Sequence, residues 1–210
     1  MDIMIDTETL GIGDDAVILS IGAVAFNPYA DDLYTLPGAA GAAPRTSPGS
    51  ARTFHRGIDI FSQLMDGRNI EQGTVDWWRT QSPEAMTSQM NLDRKLLPDA
   101  LTELFSFIEV HASDNDGVWA MPPAFDLGKI KHAAKVFGII VPWSHRQEVD
   151  VRALRHVSKL VRNAPWIAPA PAMPAVEPVR NGVYHSALDD AIYQAGIVQW
   201  TIRNLRYGPA

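Results

Sequence analysis

Apolar positions come in short β-like runs over the first 60 residues and then with helical spacing. Ile3 to Ile5 is an apolar run that ends in an acid-rich turn, and it reads as the strand that opens the fold. Val17 to Phe26 (VILSIGAVAF) is apolar and β-branched around Ser20 and Gly22, which predicts a second, largely buried strand closed by Asn27-Pro28. Arg52 to Ile58 supplies a third strand. In the helix-rich stretch that follows, Ser82-Pro83-Glu84 marks a helix start with proline in the first turn. Leu97 to Val110 sets Leu97, Leu101, Leu104, Phe105 and Ile108 on one face, the signature of an amphipathic helix. Val118 to Met121 reads as a central strand and Leu127 to Phe137 as a helix stopped by Gly138. Asp150 to Val161 and about Ser186 to Arg203 read as further helices.

Two stretches break the pattern. Residues 37–50 are rich in Gly, Ala, Ser and Pro, and residues 164–178 hold five prolines. Neither composition packs a core. The expectation is one domain over residues 1–210 with insertions at about 37–50 and 164–181. A length of 210 residues with 46% hydrophobic content suits a single core of that size.

Composition then narrows the chemistry. The chain has no cysteine, so a metal must be held by oxygen or imidazole. A net charge of −6 argues against a protein that coats nucleic acid with a broad basic surface. It suits a site of clustered carboxylates whose charge is cancelled by bound cations. The opening residues carry no basic leader, and no apolar run approaches the roughly 18–20 residues of a membrane span. The expected setting is soluble and cytoplasmic, with no membrane partner.

Three acidic stretches carry the candidate chemistry. Asp6 and Glu8 flank Thr7 at the end of the first strand, and residues i and i+2 of a strand share a face. Asp126 follows Ala124-Phe125 after the central strand, where it serves either a site or a helix N-cap. His185 and Asp190 open the last helix, five positions apart, while Asp189 diverges from Asp190 by about 100°. Each stretch alone reads equally well as a solvated strand end or a cap. Their order along the chain is what singles them out.

DTETLG, AFDLG and HSALDD resemble the three motifs of the DEDDh exonuclease family, whose fold is RNase H-like. SIGAVAF and the segment from Asp76 to Ala85, with its WW-x-x-QSPEA string, are similar to phage-type exonuclease A proteins and their bacterial exoribonuclease-like relatives. The resemblance runs from residue 3 to about 195. It implies a mixed α/β fold with a central five-stranded sheet flanked by helices. It implies a 3′→5′ exonuclease in which Asp6, Glu8, Asp126 and Asp190 hold two divalent cations, Mg²⁺ or Mn²⁺, with Asp6 bridging them. His185 is then the general base. The chain departs from the family before Phe125, where Met121-Pro122-Pro123 stands in place of an expected Asn. It departs again at Val149 and Ala153, which flank the matching Asp150 and Arg152.

The partner implied is the 3′ end of single-stranded DNA or RNA, with a homodimer as one possible assembly. Leu10 and Gly11 are expected to face the last base, and Thr7 and Thr9 the terminal sugar. Of Trp77 and Trp78 one should stack on bases and the other enter the core, because neighbours on a helix cannot both face one ligand. Arg152, Arg155, His156, Lys159 and Arg162 recur every three or four residues opposite Val151, Leu154 and Val161. They form either a phosphate track or the solvent face of an amphipathic helix. A non-catalytic nucleic-acid binding module on the same fold is the alternative reading.

Overall fold

The computed structural model describes residues 1–37, 52–162 and 177–207, without the side chains of Arg162, Arg206 and Tyr207. Most of the two expected insertions, residues 38–50 and 164–176, lies outside the described residues.

Six strands form one mixed sheet: β1 (Asp2–Thr9), β2 (Ile18–Phe26), β3 (Thr53–Ile58), β4 (Arg94–Lys95), β5 (Val118–Ala120) and β6 (Glu148–Asp150). Their spatial order is β4-β3-β2-β1-β5-β6. The first three are antiparallel in sequence, β5 runs parallel to β1, and β6 parallel to β5. The expected five strands become six because β4, two residues long, pairs with the end of β3. A strand that short has no alternation to read.

Seven helices complete the described chain: α1 (Ile60–Met65), α2 (Gln72–Trp78), α3 (Pro83–Met90), α4 (Leu97–His111), α5 (Pro123–Val136), α6 (Val151–Arg162) and α7 (Ala187–Tyr207). None is long and apolar enough to cross a membrane. α5 starts four residues earlier than its apolar pattern suggests, with Pro123 in its first turn. Asp126 therefore lies inside the helix rather than at its cap.

Alternation along β1 sorts the core into two layers. Ile3 and Ile5 face Leu101, Leu104 and Ile108 of α4 and Leu127 and Ile130 of α5. Met4 faces the other way, with Val24 and Phe26 of β2, against Leu188, Ala191 and Ala195 of α7. Each such fully buried side chain contributes about 1.5–3 kcal/mol before chain entropy is counted.

One contact sets where α7 begins. Gly22 of β2 lies beside Asp6 of β1 in the register. A Cβ at Gly22 would come within 2.2 Å of the Ala187 carbonyl carbon and the Leu188 nitrogen. Only glycine lets the first turn of α7 rest directly on the sheet there, and that seat brings His185 and Asp190 over the end of β1.

Candidate active site

Asp6 and Glu8 continue the α7-facing side of β1 beyond Met4, so the period of two that buries Met4 also turns both acids toward α7. Asp6 is buried and accepts a hydrogen bond from Gln194 Nε2 at 2.7 Å. Gln194 stands one turn beyond Asp190 on α7, at the i+4 position that shares its face. Asp126 comes from the opposite layer. Its Oδ1 accepts from the Thr7 backbone N–H at 3.0 Å and the Thr7 hydroxyl at 2.8 Å. Asp190 sits in the first turn of α7. Glu8, His185 and Asp190 each offer a ligand atom, all within 4.8 Å of one another. The structure thus brings the four acids and His185 to one end of β1. Asp189 turns away and accepts from the Val183 N–H at 2.9 Å.

Packing these carboxylates together is costly. Burial, then the charge of Asp126 and of Glu8, pushes Asp6 well above the usual carboxylate range. Burial and Asp126 push Glu8 up to about 8. Asp126 rises to about 6 through burial, held back by the Thr7 donors and Lys129. His185 moves the other way: burial, then the nearby Arg180 cation, lowers it. Both effects favour the neutral imidazole.

His185 is held by a segment whose role the sequence did not disclose. Its backbone is left-handed, φ 61°. Its carbonyl accepts from Gln89 Nε2 of α3 at 2.7 Å, and Gln89 Oε1 in turn accepts from the Ser20 hydroxyl of β2 at 2.7 Å. The imidazole meets Trp77 edge to face, with ring centroids 4.8 Å apart. The tryptophans of the WW-x-x-QSPEA string and Gln89 of the helix it opens thus cradle His185, with Ser82 capping α3 through the Ala85 N–H.

The two tryptophans divide as helical geometry requires. Trp78 is buried and donates its indole N–H to the Thr9 carbonyl at 2.8 Å. Trp77 is 42% exposed. It lines a cleft of about 340 Å³ with Thr7, Glu8, Thr9, Gly11, Ile12 and Phe125. Leu10 packs toward Leu19, Trp78 and Ala85, so Gly11 and Ile12, not Leu10, front this cleft. The hydroxyls of Thr7 and Thr9 are engaged within the chain, the latter on the Gly11 carbonyl at 2.9 Å. The rim is pinned from two sides. Glu71 accepts from the Ile12 and Gly13 N–H groups, and the buried Lys129 donates to the Ile12 carbonyl.

The basic stripe of α6 lies elsewhere. Arg155, His156 and Lys159 line a cavity with Glu177, Trp200 and Thr201. Trp200 is ten residues beyond Asp190, about 15 Å along α7. Arg155 pairs with Glu177. Val161, expected on the inner face, is exposed, while Val151 and Ser158 are buried. Arg152 donates its backbone N–H to Asp150 at 2.7 Å and its residue is exposed.

Reasoning from sequence missed Arg180, Gln194 and Gln89. Gln194 carried a signal, its i+4 spacing from Asp190. Arg180 and Gln89 carried none, since each reaches the site from a separate segment.

A mixed sheet of this order, with buried carboxylates gathered at the end of its first strand and a histidine ahead of its last helix, defines the DEDDh class of nucleases on the RNase H-like fold. Residues 1–202 match the Rv2179c-like 3′-5′ exoribonuclease domain, and the chain belongs to that family. An exodeoxyribonuclease of Enterobacteria phage T4 is 25% identical over 131 residues, 60% of this chain and 52% of the phage protein. The match thus spans about half the length of that relative. Two solved structures share the fold. The nuclease domain of 3′hExo, described as a DEDDh family member bound to rAMP, aligns with a TM-score of 0.55 at 10% identity, covering 96% of this chain and 91% of its own. Cell-death related nuclease 4 (CRN-4) aligns with a TM-score of 0.55 at 14% identity, covering 99% of this chain and 66% of its own.

Proposed function

We propose that this chain hydrolyses the terminal phosphodiester at the 3′ end of single-stranded nucleic acid, releasing one nucleotide at a time. The observation that carries it is the convergence of Asp6, Glu8, Asp126, Asp190 and His185 beside an open, aromatic-rimmed cleft. The donor set fits hard divalent cations: carboxylates and one imidazole, with no thiolate. Gln194 Oε1 is also buried there without a hydrogen bond. Asp6, Glu8, Asp126 and Asp190 would hold two Mg²⁺ or Mn²⁺ ions. When bound, such ions lower the pKa of water and stabilise the leaving oxygen.

The residues do the rest. His185, neutral and with Nδ1 4.0 Å from Glu8, accepts the proton of the attacking water. The water oxygen bonds to phosphorus, and the P–O3′ bond breaks. The shortened strand leaves with a 3′-hydroxyl once its oxygen is protonated. Trp77 offers a face on which a terminal base stacks whatever its identity, and Ile12 and Phe125 close the cleft around it. Thr7 fixes Asp126, and Gln194 fixes Asp6, so the carboxylates are oriented before substrate arrives.

The test uses 5′-labelled single-stranded RNA and DNA oligomers with Mg²⁺ or Mn²⁺, beside a circular single strand. The reading expects a ladder shortening from the 3′ side, an intact circle, and no cleavage after chelation. The faster ladder names the sugar. Cleavage of the circle, or a ladder unaffected by chelation, would overturn it.

A further inference from the structure

The acid cluster contains a cation of the chain's own. Arg180 lies in the segment leading to α7, and its Nη2 makes an ion pair with Asp190 Oδ1. Its guanidinium carbon lies 4.1 Å from the centre of the Tyr184 ring and 4.8 Å from that of Tyr193. Only 12% of its side chain is exposed. Its charge reaches Asp6, Glu8 and His185 as well. Yet its Nε is buried without a hydrogen bond. Arg68 shows the contrast. That buried arginine also leaves one nitrogen, Nη1, without a partner, but it donates three times to the carbonyls of Ala16 and Asp14, in the manner of a structural clamp. Arg180 instead rests on two aromatic rings, a support that holds a planar cation without fixing it to one acceptor.

A guanidinium and a divalent ion cannot both take the same carboxylate oxygen, since like charges repel strongly in a partly desolvated site. We infer that Arg180 is a resident counter-cation, which neutralises Asp190 until divalent ions displace it and then turns to the scissile phosphate. The inference rests on the cation-binding role proposed above. It gives loading the character of an exchange. It also supplies a positive group, held at the edge of the site by Tyr184 and Tyr193, for the negative charge spread over the phosphoryl oxygens in the transition state.

The consequence is a pair of effects with opposite signs. Arg180→Gln should bind Mn²⁺ about tenfold more tightly, because a competing cation is gone. It should cleave about 100-fold more slowly at saturating Mn²⁺, because the phosphate loses a charged donor. An arginine that merely props the fold would, when removed, weaken both. The experiment titrates Mn²⁺ into the full chain by calorimetry for the wild type, Arg180→Gln, Arg180→Lys and Tyr184→Leu, and measures single-turnover cleavage alongside. Tyr184→Leu loosens the stack while keeping the charge, so it should also tighten Mn²⁺ binding, by less; this comparison decides the matter if Arg180→Gln does not fold. Mn²⁺ affinity unchanged or weaker in these variants would overturn the exchange alone. A wild type that takes up no Mn²⁺ would overturn the cation-binding reading as well.

Discussion

Both ends of β1 carry carboxylates, and the two ends follow opposite rules. At its start Asp2 accepts from the Gly117 N–H at 3.1 Å and the Trp119 indole at 2.6 Å. Neighbouring Asp116 accepts from the Ser113 N–H and hydroxyl, each at 2.7 Å, and those donors hold its carboxyl below the usual range. At its end, about 13–20 Å away, burial and then the neighbouring acids push Asp6 and Glu8 up. The first end adds stability by matching each acid with donors. The second loses stability by burying acids beside one another, a cost that the proposed cations would offset. Cavity size points the wrong way here: the cavity at the Asp2 end is about 810 Å³, against about 340 Å³ for the cleft beside Glu8. Unmatched charge, not volume, marks the site.

The sharpest way to break this contrast is to remove one oxygen charge from each end. Asp6→Asn should lower cleavage by about 1,000-fold or more, since a proposed cation ligand is lost. Its melting temperature in chelator should hold or rise, because a repelling charge is gone. Asp2→Asn should leave cleavage within about twofold and cost about 1–3 kcal/mol of stability, because a buried N–H loses its acceptor. Oligomer cleavage and denaturant unfolding of the two variants check this. Exchanged phenotypes would end the comparison.

A second cut addresses how the unmatched end is held in place. Gln89→Ala removes the donor on the His185 carbonyl and leaves the Ser20 hydroxyl without its acceptor. The expected result is a kcat about tenfold lower with KM little changed, since misplacement of the proposed base affects the reacting geometry and not the grip on the strand. Steady-state kinetics on one oligomer would show the split. A raised KM at constant kcat would mean that α3 serves the substrate and not His185.

The third prediction concerns pH. Glu8 titrates near 4.5 when unfolded and at about 8 when folded. Between those values the folded chain binds more protons than the unfolded one. Stability without cations therefore falls as pH rises through that window, the reverse of the ordinary acid-denaturation slope. Asp116, lowered in the fold, contributes the opposite slope at lower pH, as its stabilisation is lost when pH falls. Mg²⁺ or Mn²⁺ should flatten the Glu8 slope by taking the place of the proton. Unfolding curves at pH 5 and pH 8, with and without Mn²⁺, measure it. A chelated protein more stable at pH 8 than at pH 5 would contradict the assignment.

Much of this was legible in the amino-acid order, and the limit has a physical cause. The strand period that puts Asp6 and Glu8 on one face is local, as is the helical turn that separates Asp189 from Asp190. Both follow from spacing alone. β4 and β6 span two and three residues, too few for a period to show. Leu10 looked like the exposed member of its loop, but the bond from Leu10 N–H to the Val17 carbonyl accompanies its turn inward and leaves Ile12 outside. Arg180, Gln89 and the seat of Ala187 on Gly22 depend on contacts between segments far apart in the chain. The need for Arg180 could have been argued from charge, since four buried carboxylates demand a cation, but which arginine answers could not.

The smallest expected effect tests whether the substrate extends from the acid end to α6. Arg155 and Lys159 of α6 line a cavity with Trp200, which lies about 15 Å along α7 beyond Asp190, so a strand several nucleotides long is needed to fill it. Arg155 already has Glu177 as its partner, and a phosphate must compete for it. Lys159→Gln should therefore reduce the slope of log affinity against log salt by about 1, the loss of one phosphate contact, and Arg155→Gln by less. Neither change should alter cleavage of a dinucleotide, which cannot span the distance. Binding of a long catalytically protected strand at several salt concentrations resolves the two. If the slope does not move for either, α6 presents its charges to solvent, and the nucleic acid is gripped entirely at the end of β1.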